Sequence, residues 1–203
     1  MAVRTPEIVT TNDARRRVMG AGPAALALTA LVLAGCFKSP VAAVATGPLE
    51  ATDAEQRSAV SLLWSGAATA ILKPKDPTGT FNLPVTSGAG CTASGTGSYT
   101  GTLTGTNVGG TGVVNVNLSA SLTKCALLDG TSISATGVTV TGTVTIAADT
   151  RATTVIRLLA PNVTINDRTC SGGIDVTVRA SAPNAPATAS GTTCGMVRSL
   201  ALP

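Results

Sequence analysis

From Pro84 onward the chain alternates. In SYTGTLTGT, VVNVNLSASLTKC, VTVTGTVTI, TTVIRLL, NVTI and GIDVTV, apolar residues recur at every second position, the period of strands with one buried face. Val114, Val116, Leu118, Ala120 and Leu122 fall on one side of their segment, with Asn115, Asn117, Ser119, Ser121 and Thr123 on the other. The same split puts Val138, Val140, Val144 and Ile146 inside, with Gly142 leaving a gap, and Thr139, Thr141, Thr143 and Thr145 outside. NVGGTG, LLDGTS, AADTRA, INDRTCSGG and SAPNAPATASG, which separate these segments, have the composition of turns. The pattern predicts a mainly β domain over 85–203, an antiparallel β meander closed as a sandwich or barrel. Its exposed face is a carpet of small hydroxyls.

A different period precedes it. Thr52-Asp53-Ala54-Glu55 has the spacing of a capping box, in which Thr52 accepts from free backbone donors and Glu55 reaches back. Val60, Leu63, Trp64, Ala67 and Ile71 follow at helical spacing, with Pro74 and Pro77 to end the element. One short amphipathic helix is predicted over 52–74, with Trp64 on its apolar stripe and therefore packed in the core. Residues 36–51 are Ala-, Val-, Pro- and Gly-rich with no period, the composition of a tether.

At the N-terminus, Ala24 to Leu33 is an apolar run broken only by Thr29, preceded by the cluster Arg15, Arg16 and Arg17. A spanning helix needs about 20 apolar residues, and Gly20, Gly22 and Pro23 interrupt this one upstream. A basic head followed by a short apolar core is the architecture of a signal peptide, here over 1–35. Its exit, Leu33-Ala34-Gly35-Cys36, resembles the lipobox of bacterial lipoprotein precursors at every position. The resemblance implies cleavage between Gly35 and Cys36, a diacylglyceryl group on the Cys36 sulfur, and contact with the lipoprotein-processing and export machinery. Cys36 then holds the domain outside the cytoplasmic membrane. Phe37, in place of the aspartate linked to inner-membrane retention, favours the outer membrane where the cell has one. An ordinary signal peptidase could instead use Ala42-Ala43-Val44-Ala45, but that site lies well past the apolar run. Arg15-Arg16-Arg17-Val18-Met19 is also similar to twin-arginine export signals.

The formal charge of +4 and isoelectric point near 9.0 owe much to that leader. Arg4, Arg15, Arg16 and Arg17 lie in it with Glu7 and Asp13, which leaves ten basic and eight acidic residues, a net +2, scattered over the rest. With one Trp, one Tyr and two Phe, there is no stacking platform for bases, so nucleic acid is not an expected partner. Beyond Cys36, the cysteines Cys91, Cys125, Cys170 and Cys194 are even in number in a chain expected to be exported, which reads as two disulfides. Of three pairings, Cys91 with Cys125 and Cys170 with Cys194 close the shortest loops. No CxxC spacing and no histidine are present, so neither a metal nor a cofactor is expected.

Without histidine, neither a Ser-His-Asp triad nor a Cys-His pair can be assembled. Ser121-Leu122-Thr123-Lys124 has the Ser-x-x-Lys spacing of penicillin-interacting enzymes, but in an alternating strand the two side chains face opposite ways. Asp129, Asp149 and Asp167 stand in predicted turns, where such side chains serve the turn itself, and Asp175 follows a single Gly-Gly-Ile fragment. No catalytic residue is assigned. The sequence thus points to a membrane-anchored envelope protein with a structural, display or binding domain. Its rivals are a carrier of lipid or another apolar ligand inside a barrel and a carboxylate-based envelope hydrolase.

Overall fold

The computed structural model describes residues 50–73, 78–147, 152–183 and 185–203. It opens with one helix, α1 (Asp53–Leu72). Ten strands follow: β1 (Gly79–Gly88), β2 (Ser94–Val108), β3 (Thr111–Ala126), β4 (Ser132–Ile146), β5 (Ala152–Ala160), β6 (Asn162–Ile165), β7 (Arg168–Thr169), β8 (Ile174–Ala180), β9 (Ala187–Thr193) and β10 (Met196–Leu202). All pair antiparallel in one sheet, eight of them in the order β1-β2-β3-β4-β5-β8-β9-β10, with β6 pairing to β4 and β7 to β6 off this path. The predicted class and the helix before it are both present. The leader, the tether up to Leu49, Pro74 and Pro77 lie outside the described residues.

The alternation lands as read. Val114, Val116, Leu118, Ala120 and Leu122 are buried, as are Val138, Val140 and Val144, while Asn115, Asn117, Ser119, Thr139, Thr141 and Thr145 face solvent. The turn between β2 and β3 is shorter than its composition suggests. Only Gly109 and Gly110 form it, at φ 60° and 80°, which a two-residue hairpin turn with positive φ at both positions requires. The sheet also begins earlier than residue 85, because Pro84 is a strand residue opposite Thr102. It lies on an edge, where a proline costs no ladder hydrogen bond. Ala187–Thr193, within a stretch whose proline and serine content suggested a turn, is strand β9. Its Ala187, Ala189 and Thr193 are buried, side chains too small to raise a hydrophobic period.

Gly142 is not a gap. Its φ is 150°, and a Cβ there would lie 2.2 Å from the Val155 carbonyl oxygen. The position is one where the strand bends and the neighbouring backbone closes in, as glycine allows in strongly curved sheets. Curvature is what the topology demands. In a flat sheet β1 and β10 would lie seven strand spacings apart, about 34 Å. Yet α1 packs against β1, β2, β6 and β10, and its C-terminal end alone meets both edges: Lys73 donates to the Thr86 carbonyl of β1, and Leu72 lines a groove with Pro203, just past β10. The sheet therefore curls around α1 and its two halves face each other across the helix, sandwich-like in section.

Wrapped in this way, α1 is buried well beyond the single stripe its sequence predicted. Ala59, Leu62, Ala68 and Ala70 are covered along with Val60, Leu63, Trp64, Ala67 and Ile71. Tyr99, fully buried on β2, lies against Gly66 and donates from its hydroxyl to the Leu63 carbonyl at 2.9 Å. A Cβ on Gly66 would come within 2.4 Å of the Tyr99 ring, which cannot retreat without losing that hydrogen bond. Overpacking of this kind costs about 1–3 kcal/mol, against about 1 kcal/mol gained by replacing a helix-interior glycine. Gly66→Ala should therefore destabilise the domain by roughly 1–2 kcal/mol in urea unfolding, whereas Ser65→Ala on the exposed side of the helix should leave it nearly unchanged.

Candidate functional site

Ionisable and cross-linked residues gather at one end of the domain, around the first two turns of α1. Thr52 caps the helix: its hydroxyl accepts from the Glu55 N–H, and the Glu55 carboxylate accepts from the Thr52 N–H at 2.7 Å. The capping box is present as read. The same carboxylate does more than the motif implies. It accepts from Asn166 Nδ2 at 2.8 Å and pairs with Arg168 at 3.2 Å, both on the β6–β7 hairpin. That hairpin exists because Pro161 ends β5. Beyond it the chain continues along β4 as β6, while β8 pairs with the other edge of β5. Its turn, Asn166-Asp167, holds φ 51° and 60°, a conformation that Asn and Asp tolerate best among side-chain-bearing residues.

Around Glu55 the other strand ends are tied in turn. Asp53 pairs with Arg198 of β10 at 2.7 Å. Ser58 donates to Asp129, whose other oxygen accepts from the Thr131 N–H within the β3–β4 turn. Glu50 accepts from Ser171. Gln56, fully buried, donates to the Ala51 carbonyl and accepts from Thr193 at 2.9 Å. Both disulfides sit at this end: Cys91–Cys125 joins the β1–β2 loop to β3, and Cys170–Cys194 joins the β7–β8 loop to the β9–β10 turn. These are the predicted pairings. None of the long-range partners of Glu55 and Asp53 carries a local sequence signal; only the register reveals them.

The candidate chemical residues do not converge. Ser121 and Lys124 do not lie on opposite faces, because a bulge between Leu122 and Cys125, with Lys124 at φ 46°, resets the alternation and leaves both exposed. The extra residue turns Cys125 into the core. Lys124 donates its backbone N–H to Ser134. Asp129 and Asp167 are in turns; Asp175, on β8, is not, and forms a two-pronged ion pair with Arg157 of β5 at 2.7 and 2.8 Å. That pair is about half exposed on both sides and adds little stability. Among the described residues no group of three His, Cys, Asp or Glu side chains could hold a metal. Cys36, Gly35, Arg15, Arg16, Arg17 and Asp149 lie outside them.

What the sheet does assemble is a neutral outer face. The sequence shows no fixed Thr repeat, but antiparallel register aligns the segments into rows. Thr86, Thr100, Ser119 and Thr139 stand side by side across β1–β4. So do Asn82, Thr104, Asn115 and Thr143, and between these rows run Thr102, Asn117 and Thr141. Lys124 is the only charged residue in these four strands. A shallow groove of about 340 Å³ opens on this face, lined by Ser98, Thr100, Ser119, Ser121 and Thr139. A second, of about 400 Å³, lies between β4, β6 and the Cys170–Gly172 loop. Neither groove is lined by an ionisable side chain.

No family model, curated protein or solved structure matches the chain.

Two measurements probe the tied end. Hydrogen bonds from the Thr52 backbone, Asn166 and the Thr52 hydroxyl, with the Arg168 charge behind them, hold the Glu55 carboxyl below its ordinary value of 4.5. Arg198 does the same for Asp53, the Thr131 N–H for Asp129 and Arg157 for Asp175, each below 3.8. Depressed folded-state values mean stability that is present above the ordinary carboxylate range and lost as pH falls through the folded values. The melting temperature should hold from neutral pH to about 5 and fall below about 4. Glu55→Gln should lose on the order of 1 kcal/mol at pH 7 and show a shallower acid decline. Cross-links closing loops of 34 and 24 residues stabilise by roughly 3–4 kcal/mol each. The four cysteines should resist thiol labels in the native protein, and reductant should lower its melting temperature by many degrees. Free thiols, or a curve that reductant does not move, would contradict the pairing.

Proposed function

We propose that the chain is a lipid-anchored envelope protein, attached to a membrane through Cys36, whose β domain serves as a non-catalytic display and binding body. The observation that carries this reading is Leu33-Ala34-Gly35-Cys36 at the end of a short apolar run behind three arginines. The two disulfides agree with it, since such bonds persist in oxidising spaces outside the cytoplasm. A lipid with two acyl chains on one residue provides stable anchoring by itself, so the domain needs no membrane-spanning element. Export by the twin-arginine route and residence in an outer membrane are the finer forms of the proposal.

The non-catalytic part rests on how the polar residues are used. The chain has no histidine. Glu55, Asp53, Asp129 and Asp175 are each engaged in a cap, a turn or an ion pair, and the grooves offer hydroxyls and amides without an acid or base beside them. Display is favoured over carriage of an apolar ligand because α1 occupies the concave side of the sheet, with Val60, Leu63 and Ala67 fully buried there.

The deciding experiment is metabolic labelling of a bacterial host with an alkyne fatty acid. Wild-type protein should carry the label and partition with membranes; Cys36→Ala should carry none and accumulate as unprocessed precursor. Label retained at wild-type level in Cys36→Ala would overturn the proposal.

A further inference from the structure

The end of the domain where α1 begins is also where the chain arrives from Cys36. Glu50, fourteen residues after that cysteine, is fixed to Ser171 beside the Cys170–Cys194 disulfide. Two large apolar side chains stand out there. Leu128 is 84% exposed at the β3–β4 turn, next to the Asp129 that Ser58 holds. Val197 is 88% exposed at the start of β10, next to the Arg198 that Asp53 holds. Met196, 44% exposed, adjoins Val197. Two of the most exposed large hydrophobic residues of the domain thus project from a turn and from the start of the edge strand β10, both tied to the first two turns of one helix. No packing requirement puts them there, because both side chains face solvent, where polar residues would serve as well.

Around them two ion pairs form, Asp53 with Arg198 and Glu55 with Arg168, while Arg57 stands exposed on the first turns of α1. The Asp129 carboxylate is occupied by hydrogen bonds from Ser58 and Thr131. Protruding aliphatic groups set among charged and polar side chains fit the boundary of a bilayer, where the former enter the acyl region and the latter meet the headgroups.

Chain length selects the same end. Fourteen residues span about 50 Å at full extension, and β3, with 16 residues, is itself about 50 Å long. The opposite end of the sheet, with Val108 70% exposed at the β2–β3 turn, could meet the bilayer only if the connecting chain were stretched along nearly the whole domain.

We propose that Leu128, Met196 and Val197 form the face on which the domain rests against the lipid surface, so that the β2–β3 turn points away from the membrane. This rests on lipid attachment at Cys36, and the partner is the bilayer of the cell that holds the anchor. The outer face of β1–β4 then stands upright, its rows of hydroxyls open to the surrounding space.

The test uses the processed full-length protein reconstituted into phosphatidylcholine vesicles, with lipids brominated along their acyl chains as quenchers. Trp64 is buried and supplies a constant background. Leu128→Trp and Val197→Trp should each add fluorescence that brominated lipid quenches by half or more, while Val108→Trp, the control at the far end, should add fluorescence that it does not. Flotation of the wild type, lost in Cys36→Ala, reports on the anchor independently. If the protein floats but the added fluorescence of Leu128→Trp and Val197→Trp is quenched no more than that of Val108→Trp, the resting face is wrong and the anchor stands. If the wild type fails to float, both proposals fall. Leu128→Asp with Val197→Asp provides a second reading: the melting temperature should hold, and the domain should become accessible to added protease along its anchored end.

Discussion

A single β-sheet has one apolar face and no partner of its own, and how that face is covered governs everything else in this domain. Two packed sheets would cover each other. A barrel closed by hydrogen bonds would turn the face inward. Here β1 and β10 stay unpaired to one another, and the cover is α1, drawn into the curl with most of its residues buried. The choice suits the composition. With so few aromatic residues, the inward side chains of the sheet are mostly Val, Leu, Ile and Ala, which leave room on the concave side for a helix. A helix rich in alanine, carrying the chain's one Trp and facing its one Tyr, is the filler. Tyr99 locks the two together by packing on Gly66 and bonding to the Leu63 carbonyl.

That arrangement explains why polar order is concentrated where it is. The start of α1 lies at the open end of the curl, with Thr52, Asp53 and Ala54 exposed, and its first N–H groups have no partner within the helix. The capping box meets the first need, and Asn166 and Arg168 fix the carboxylate that completes it. The strand ends that surround α1 then have to be kept from fraying, because the sheet's own edges do not close. The two disulfides, the Asp53–Arg198 pair and the Gln56–Thr193 hydrogen bond all act at that end.

Strand existence, face assignment, helix cap and cysteine pairing were legible in the sequence because each has a local signal: a period of two, a Thr-x-x-Glu spacing, a shortest-loop argument. What escaped had none. Strand β9 is buried through alanines and a threonine, so its inward residues do not contrast with its outward ones. Strand β1 contains Pro84, which marks a break unless the strand is known to lie at an edge. The bulge at Lys124 cannot be seen from alternation, because alternation is the rule it interrupts. The partners of Glu55 lie 111 and 113 residues away, and only tertiary register brings them there. The rows of hydroxyls belong to the same class: residues at irregular sequence spacing become a lattice once antiparallel pairing sets Thr100 beside Ser119 and Ser119 beside Thr139.

The same register divides the sheet into two unlike halves. Strands β1 to β4 are long and carry a single charge; β5 to β10 are shorter and hold Arg157, Arg168, Asp175, Arg179 and Arg198. Charges on strands serve mainly to keep edges and faces from associating, and a face without them depends on other features for solubility. Threonine, serine and asparagine provide one, since every side chain keeps its hydrogen bonds to water while the β-branched threonines also suit the pleat. Such a face has neither the charge to attract ions nor the aromatic area to grip an apolar ligand. Held upright on a lipid anchor, the long uncharged half of the sheet would present that chemistry outward, while the charged half and the cross-linked end keep the curl closed around its helix.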